Sequence, residues 1–207
     1  MPDKPIFGRR RSTGPRTRAL VGIELPKELK EHISKIQQEL PRGTLLESPD
    51  NLLINLIYLG HIAQERLSAA YRVVRPILQN VRTFEVSTSK LDYLYSGETR
   101  DHSVIYLSIK DPDKNIQNLF NTITKALSEE EFSPPHRLHP HIEIAQVPKQ
   151  RDRNAQAKNL EEIVEKEMED NAFIVNHITF FQELRGGGVK PLLRLSLRGA
   201  EGDEAIS

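Results

Sequence analysis

Apolar positions along this chain follow two rhythms, a strand-like one and a helical one, and the two alternate. Arg18 to Leu25 is a short apolar run that stops at Pro26, a residue suited to the first position of a helix. From there Leu29, Ile33, Ile36 and Leu40 recur at intervals of 4, 3 and 4, which predicts a helix with one buried stripe. Pro41 and Gly43 end it, and Leu52 to Leu59 reads as the next strand. A second helix is predicted over 62–80, buried through Leu67, Tyr71, Val74 and Leu78, with Pro76 bending or breaking its last turns. Strands follow at about 82–95 and 103–110.

After Asp111-Pro112 a third helix repeats the logic of the first, with Ile116, Leu119, Phe120, Ile123 and Leu127 on one face. It leads through Ser133-Pro134-Pro135 into a strand from His139 to Val147. The charged stretch 148–170 reads as a loop and an exposed helix with a thin stripe at Leu160, Ile163, Val164 and Met168. Two last strands, about 172–184 and 190–198, flank Gly186-Gly187-Gly188. A phosphate-cradling loop would be followed by a helix, and none follows here, so the triplet reads as a hairpin turn needing positive φ. Strand, proline-started helix and strand thus occur twice. From Arg18 to Leu53 is 35 positions and from Ser103 to His141 is 38, which predicts a duplicated unit with positions 53 and 141 facing a shared cleft.

Composition narrows the setting. A chain of 207 residues, 37% of them hydrophobic, can build one domain with a packed core. It contains no cysteine, which excludes a disulfide framework and thiolate metal sites and suits a reducing, cytoplasmic setting. No apolar run approaches the roughly 18 residues of a membrane span, and the first twenty residues lack a signal-peptide core, so a soluble, unexported protein is expected. The formal charge is zero, 29 basic residues against 29 acidic, but it is unevenly spread. Residues 1–17 read as a flexible basic arm and 199–207 as an acidic tail around a domain at 18–198. Arg9, Arg10, Arg11, Arg16 and Arg18 are the candidate nucleic-acid contacts; a solvated end is the plainer reading.

The two halves of the repeat carry matching phrases, Asn51-Leu52-Leu53-Ile54-Asn55-Leu56-Ile57-Tyr58-Leu59-Gly60 and His139-Pro140-His141-Ile142-Glu143-Ile144-Ala145-Gln146-Val147. The pair resembles the two active-site strands of the two-histidine phosphoesterases, the 2'-5' RNA ligase and RNA 2',3'-cyclic phosphodiesterase group. In that group each strand bears a His-x-Thr or His-x-Ser motif. Glu183-Leu184-Arg185-Gly186-Gly187 is similar to the family's late hairpin, with Lys190 where a tyrosine is often found. The resemblance covers residues 18–198. It implies an α+β, bilobal, duplicated fold: two antiparallel sheets forming a V-shaped groove with helices outside. It further implies that Leu53 and His141 stand on adjacent central strands of opposite lobes, their side chains on one concave surface.

By the same resemblance, active members use one histidine as general base and the other as general acid, while the two hydroxyls hold phosphate oxygens. Here the motifs read Leu53-Ile54-Asn55 and His141-Ile142-Glu143. Leucine cannot move a proton, and loss of one acid–base group typically costs about 10²- to 10⁴-fold. Asn55 can still donate a hydrogen bond to phosphate. An ionised Glu143 about 4 Å from a phosphodiester oxygen would repel it by roughly 1–4 kcal/mol. Strand alternation places Leu53, Asn55 and Ile57 on one face and Ile54, Leu56 and Tyr58 on the other; the plainer reading is that Leu53 and Ile57 have become core and that His141 is a structural histidine.

His139, His141 and Glu143, at i, i+2 and i+4, offer a metal-ligand set, with His136 nearby, but the motif frame explains their spacing without a metal or a cofactor. Three function classes follow. The first is a catalytically impaired protein of this fold that binds RNA, a nucleotide with a terminal or cyclic phosphate, or a protein partner. The second is an active phosphodiesterase using His141 with Glu143. The third is a structural subunit of a larger complex.

Overall fold

The computed structural model of this chain describes residues 16–94, 102–148, 161–164, 170–199 and 204–205. The basic residues Arg9, Arg10 and Arg11 lie outside them, as do Leu160 and Met168. In order, the elements are β1 (Arg16–Glu24), α1 (Lys27–Gln38), β2 (Leu45–Leu46), a 3₁₀ turn (Pro49–Asn51), β3 (Leu53–Ala63), α2 (Gln64–Leu78), β4 (Phe84–Leu94), β5 (His102–Lys110), α3 (Asn115–Glu129), β6 (His141–Pro148), β7 (Ala172–Val175), β8 (His177–Glu183), β9 (Val189–Ser196) and β10 (Glu204–Ala205). They form two antiparallel five-stranded sheets, ordered β10-β9-β8-β1-β3 and β2-β6-β5-β4-β7.

The helical stripes decide how the sheets are covered. Leu29, Ile33 and Ile36 of α1, Leu67, Val74 and Leu78 of α2, and Ile116, Leu119, Phe120, Ile123 and Leu127 of α3 are all buried in one continuous core shared by both sheets. Ile163, in the helical turn at 161–164, joins that core. Asp111 starts α3 by accepting hydrogen bonds from the backbone N–H groups of Asn115 (2.9 Å) and Ile116 (2.8 Å), two donors the helix cannot satisfy itself. Pro76 does not break α2, which runs on to Leu78. A proline this close to the end removes only a last-turn bond.

Several expected boundaries move for physical reasons. Pairing with the start of β1 carries β3 through to Ala63, where a helix was expected from 62. Arg16 and Thr17, expected in the arm, belong to β1, and within the expected acidic tail Glu204–Ala205 adds a strand to β9. The strand expected over 172–184 is two strands in different sheets. Phe84 pairs with Val175 and Gly22 with Thr179, so the chain crosses between sheets at Asn176, whose carbonyl accepts the Leu197 N–H at 2.9 Å.

The duplication is visible in the registers. Gly22 pairs with Asn55 and Val21 with Ile57, leaving Leu56 as a bulge; Tyr106 pairs with Glu143 and Ile105 with Ala145, leaving Ile144 as a bulge. In both halves the bulge falls three residues after the first motif position. Buried Gln37 anchors the second bulge, its side-chain amide donating to the carbonyls of Ile144 and Glu47, each at 2.8 Å. β3, the edge strand of its sheet, touches β6, next to the edge of the other, so the motif strands meet at the seam between sheets rather than at sheet centres.

Candidate functional site

The seam opens into a cleft of about 460 Å³ whose lining includes Leu53, Asn55, His141 and Glu143. All four motif positions therefore share one surface, as the repeat requires. The bulge at Leu56 alters the rest of the row. Leu56 and Ile57 both turn into the core, and Tyr58 faces the cleft with 44% of its surface exposed. Simple alternation had placed Ile57 on the groove face and Tyr58 away from it; the extra residue reverses the phase beyond position 56.

The two motif strands differ sharply in character. Leu53 is 8% exposed and packs with Leu20, Phe181 and partly buried Val189 in a small apolar cluster that floors one side of the cleft. Opposite, the His141 ring meets the carbonyl of His139 through Nδ1 at 2.6 Å. With the proton on Nδ1, that bond leaves Nε2 as the acceptor of the ring. Tyr106 packs edge-on against the rings of both His139 and His141, with centroids 5.5 and 5.1 Å away. The candidate metal set is not a strand row, because β6 begins at His141 and His139 precedes it. Among the described residues no group of three His, Cys, Asp or Glu side chains is arranged to hold a metal. His136 does not line the cleft.

Glu143 is not alone. The side-chain amide of Gln146 donates to Glu143 at 2.8 Å and to Glu47 at 3.2 Å, and that of Asn51 donates to Glu47 at 3.0 Å. Burial pushes the Glu143 carboxyl up; the Gln146 hydrogen bond acts against this and the nearby Glu47 charge adds to it. Glu47 reaches the cleft because its backbone N–H bonds the Ile144 carbonyl of the β6 bulge at 2.9 Å. Among the described residues the cleft is lined by Glu47, Glu143 and Glu183 and by no lysine or arginine. Glu183 is paired with Arg18 at 2.8 Å, and Arg18 also donates from Nε to His61 at 2.6 Å. Glu47, Gln146 and Glu183 were not foreseen; the only signal for Gln146 was its place five residues after His141, matching Tyr58 after Leu53.

The glycine triplet is a hairpin joining β8 to β9, with φ of 81° at Gly187 and 95° at Gly188. The Leu184 N–H donates to the Gly188 carbonyl at 2.9 Å, and Asn51 accepts the Val189 N–H at 3.1 Å, which holds the hairpin against the cleft.

Residues 25–187 match the sequence profile of the 2'-5' RNA ligase superfamily. The chain belongs to this superfamily. It is 25% identical over 146 residues, 68% of this chain and 78% of the relative, to an RNA 2',3'-cyclic phosphodiesterase of Methanothermobacter thermautotrophicus. It is 26% identical over 132 residues, 63% and 71% of the two chains, to one of Methanocaldococcus jannaschii. Two solved structures share the superfamily fold. TT0787 of Thermus thermophilus has a TM-score of 0.70 at 17% identity, covering 89% of this chain and 100% of that one. Escherichia coli LigT complexed with 3'-AMP has a TM-score of 0.68 at 18% identity, covering 88% and 98%. Among the described residues no helix is long and apolar enough to cross a membrane.

Proposed function

We propose that this chain is a catalytically impaired member of the 2'-5' RNA ligase superfamily that binds RNA or a nucleotide without turning it over. The observation that carries the reading is Leu53. At the place equivalent to His141 the chain has an apolar side chain packed on Leu20 and Phe181, so one half of a two-sided proton transfer is missing. Two carboxylates, Glu47 and Glu143, add to this, since they oppose a phosphodiester in the cleft. Binding of a nucleic acid is supported by the family's character and by the 3'-AMP complex of LigT.

A second reading is an active phosphodiesterase that pairs His141 with Glu143. It is favoured by the held orientation of His141 and by the raised Glu143 carboxyl, which stands as a potential acid. One experiment separates the two: purified protein and its His141→Ala variant are incubated with 2',3'-cyclic nucleotides and short RNAs ending in a cyclic phosphate, and products are resolved by chromatography. Impairment predicts background hydrolysis for both proteins. Turnover by the wild type that His141→Ala abolishes would overturn it in favour of the altered pair.

A further inference from the structure

The antiparallel order β8-β1-β3 brings the start of β1 and the ends of β8 and β3 to one rim of their sheet. A second cleft of about 520 Å³ opens there, lined by Arg16, Arg18, His61, Glu183 and Arg185 among others. Its charge is opposite to that of the seam. Among the described residues it holds three arginines against one carboxylate, and that carboxylate, Glu183, is already paired with Arg18. The side chains of Arg16 and Arg185 are exposed and make no hydrogen bond or ion pair among the described residues.

The two clefts adjoin, with Glu183 in the lining of both. Arg16, Arg18 and Leu20 alternate along β1 and so share a face, and Leu20 lines the seam cleft. Register confirms the row structure: Leu20 lies between Phe181 and Tyr58, and Arg18 lies between Glu183 and His61. Beyond the acidic seam, this face of the sheet therefore carries the exposed Tyr58 ring of β3 in one row and the cations Arg18 and Arg16 of β1 in the next two, the rows about 7 Å apart. A cationic track beside an aromatic face is the arrangement that holds single-stranded nucleic acid, phosphates on the arginines and a base on the ring.

We infer that the rim cleft of Arg16, Arg18 and Arg185 is the phosphate-binding site for a single-stranded RNA, displaced outward from a seam that has become acidic. This rests on the RNA-binding reading above and assigns the phosphates to residues outside the motif strands' shared cleft. Arg18 is partly committed to Glu183 and His61, whereas Arg16 and Arg185 have their full set of donors available.

The test measures fluorescence anisotropy of a short labelled single-stranded RNA with full-length protein across a series of KCl concentrations. Arg16→Glu with Arg185→Glu is compared with Lys35→Glu with Lys125→Glu, which changes net charge equally at exposed lysines on α1 and α3. The rim pair should lose at least about tenfold in affinity, and its salt dependence should flatten by about 1.4 in log–log slope, two contacts at about 0.7 each. The helix pair should stay within about twofold of wild type. Arg16→Gln with Arg185→Gln should weaken binding in the same direction and guards against misfolding of the charge reversal. Equal losses in the rim and helix pairs, or none in either, would overturn the site while leaving RNA binding standing. Failure of the wild type to bind RNA at all would overturn the underlying reading.

Discussion

Leu53 and His141 are counterparts: each opens its motif strand, has a polar residue two positions on and a bulge three positions on, and lines the same cleft. The same backbone frame thus stands on both sides of the cleft, while on one side Leu53 packs into an apolar cluster and Asn55 stays exposed. If only side chains separate this cleft from an active one, restoring them should restore chemistry. Leu53→His, Asn55→Thr and Glu143→Thr, combined with Glu47→Gln to remove the second carboxylate, should raise cyclic phosphodiester hydrolysis at least about 100-fold over wild type. The histidine would replace an apolar contact with Leu20 and Phe181, so a stability loss of about 1–3 kcal/mol is expected alongside. A folded, inert variant would mean that the cleft has lost more than its motif residues.

Gly22 is where the Leu53 cluster presses on the backbone. A Cβ at this position would lie 2.8 Å from the Ile54 carbonyl oxygen and 3.0 Å from Leu53 Cδ1. The carbonyl belongs to the neighbouring strand and cannot swing away. Gly22→Ala should therefore destabilise the fold by about 1–3 kcal/mol, read as a lower midpoint in chemical denaturation with an unchanged m-value. In the other half the counterpart position is Tyr106, so the two halves are filled differently at equivalent places.

Two carboxylates shape the pH dependence in opposite directions. Burial alone would raise the Glu24 carboxyl, but hydrogen bonds from Arg194 (2.7 and 2.8 Å) and Thr179 (2.7 Å), with the Arg194 charge, hold it below its usual value of 4.5. A depressed acid contributes stability above its unfolded value and loses it as pH falls through its folded one. Glu24→Gln should thus lower the melting temperature at neutral pH and make the acid side of the profile shallower. Glu143 is raised by burial, with Glu47 adding to the effect, so its contribution is favourable below pH 4.5 and is lost as pH rises through the raised value. Glu143→Gln keeps an acceptor for Gln146 and should melt higher than wild type at neutral pH, with the gap closing on acidification. A gap that is constant with pH would show that Glu143 does not titrate in this way.

How far the sequence could be read depended on what decided each feature. The stripes Leu29-Ile33-Ile36 and Ile116-Leu119-Phe120-Ile123-Leu127 are local, and the helices appear where the 3.6-residue period put them. The motif frames at 53–55 and 141–143 were legible for the same reason, as was the hairpin at Gly187 and Gly188. Strand partners are not local. Nothing between Ala172 and Glu183 announces that Val175 pairs in one sheet and Thr179 in the other. Bulges are equally silent, so Tyr58 was placed on the wrong face and Ile57 on the groove. Glu47 enters the site through the Ile144 bulge and Glu183 through the pairing of β8 with β1 beside Arg18, contacts separated by 97 and 165 positions.

The residues ahead of β1 add further positive charge beside the rim. Since Arg16 and Thr17 are in the sheet, the segment that can be removed while keeping β1 whole is 1–15, which holds Lys4, Arg9, Arg10 and Arg11 against Asp3. It joins the chain at Arg16, itself on the rim cleft. Basic residues there would bind RNA mainly by releasing counterions, with little sequence preference and a steep dependence on salt. Deleting 1–15 should leave the melting temperature within about 1 °C, since it keeps every helix and strand among the described residues. It should flatten the log–log salt slope of RNA binding by up to about 2.8, four contacts at about 0.7 each, and leave the smaller slope due to Arg16, Arg18 and Arg185. Anisotropy titrations of full-length and shortened protein at matched salt concentrations measure both quantities. Equal affinity and equal slope would assign the whole polyanion contact to the folded domain and leave the basic segment without a part in RNA binding.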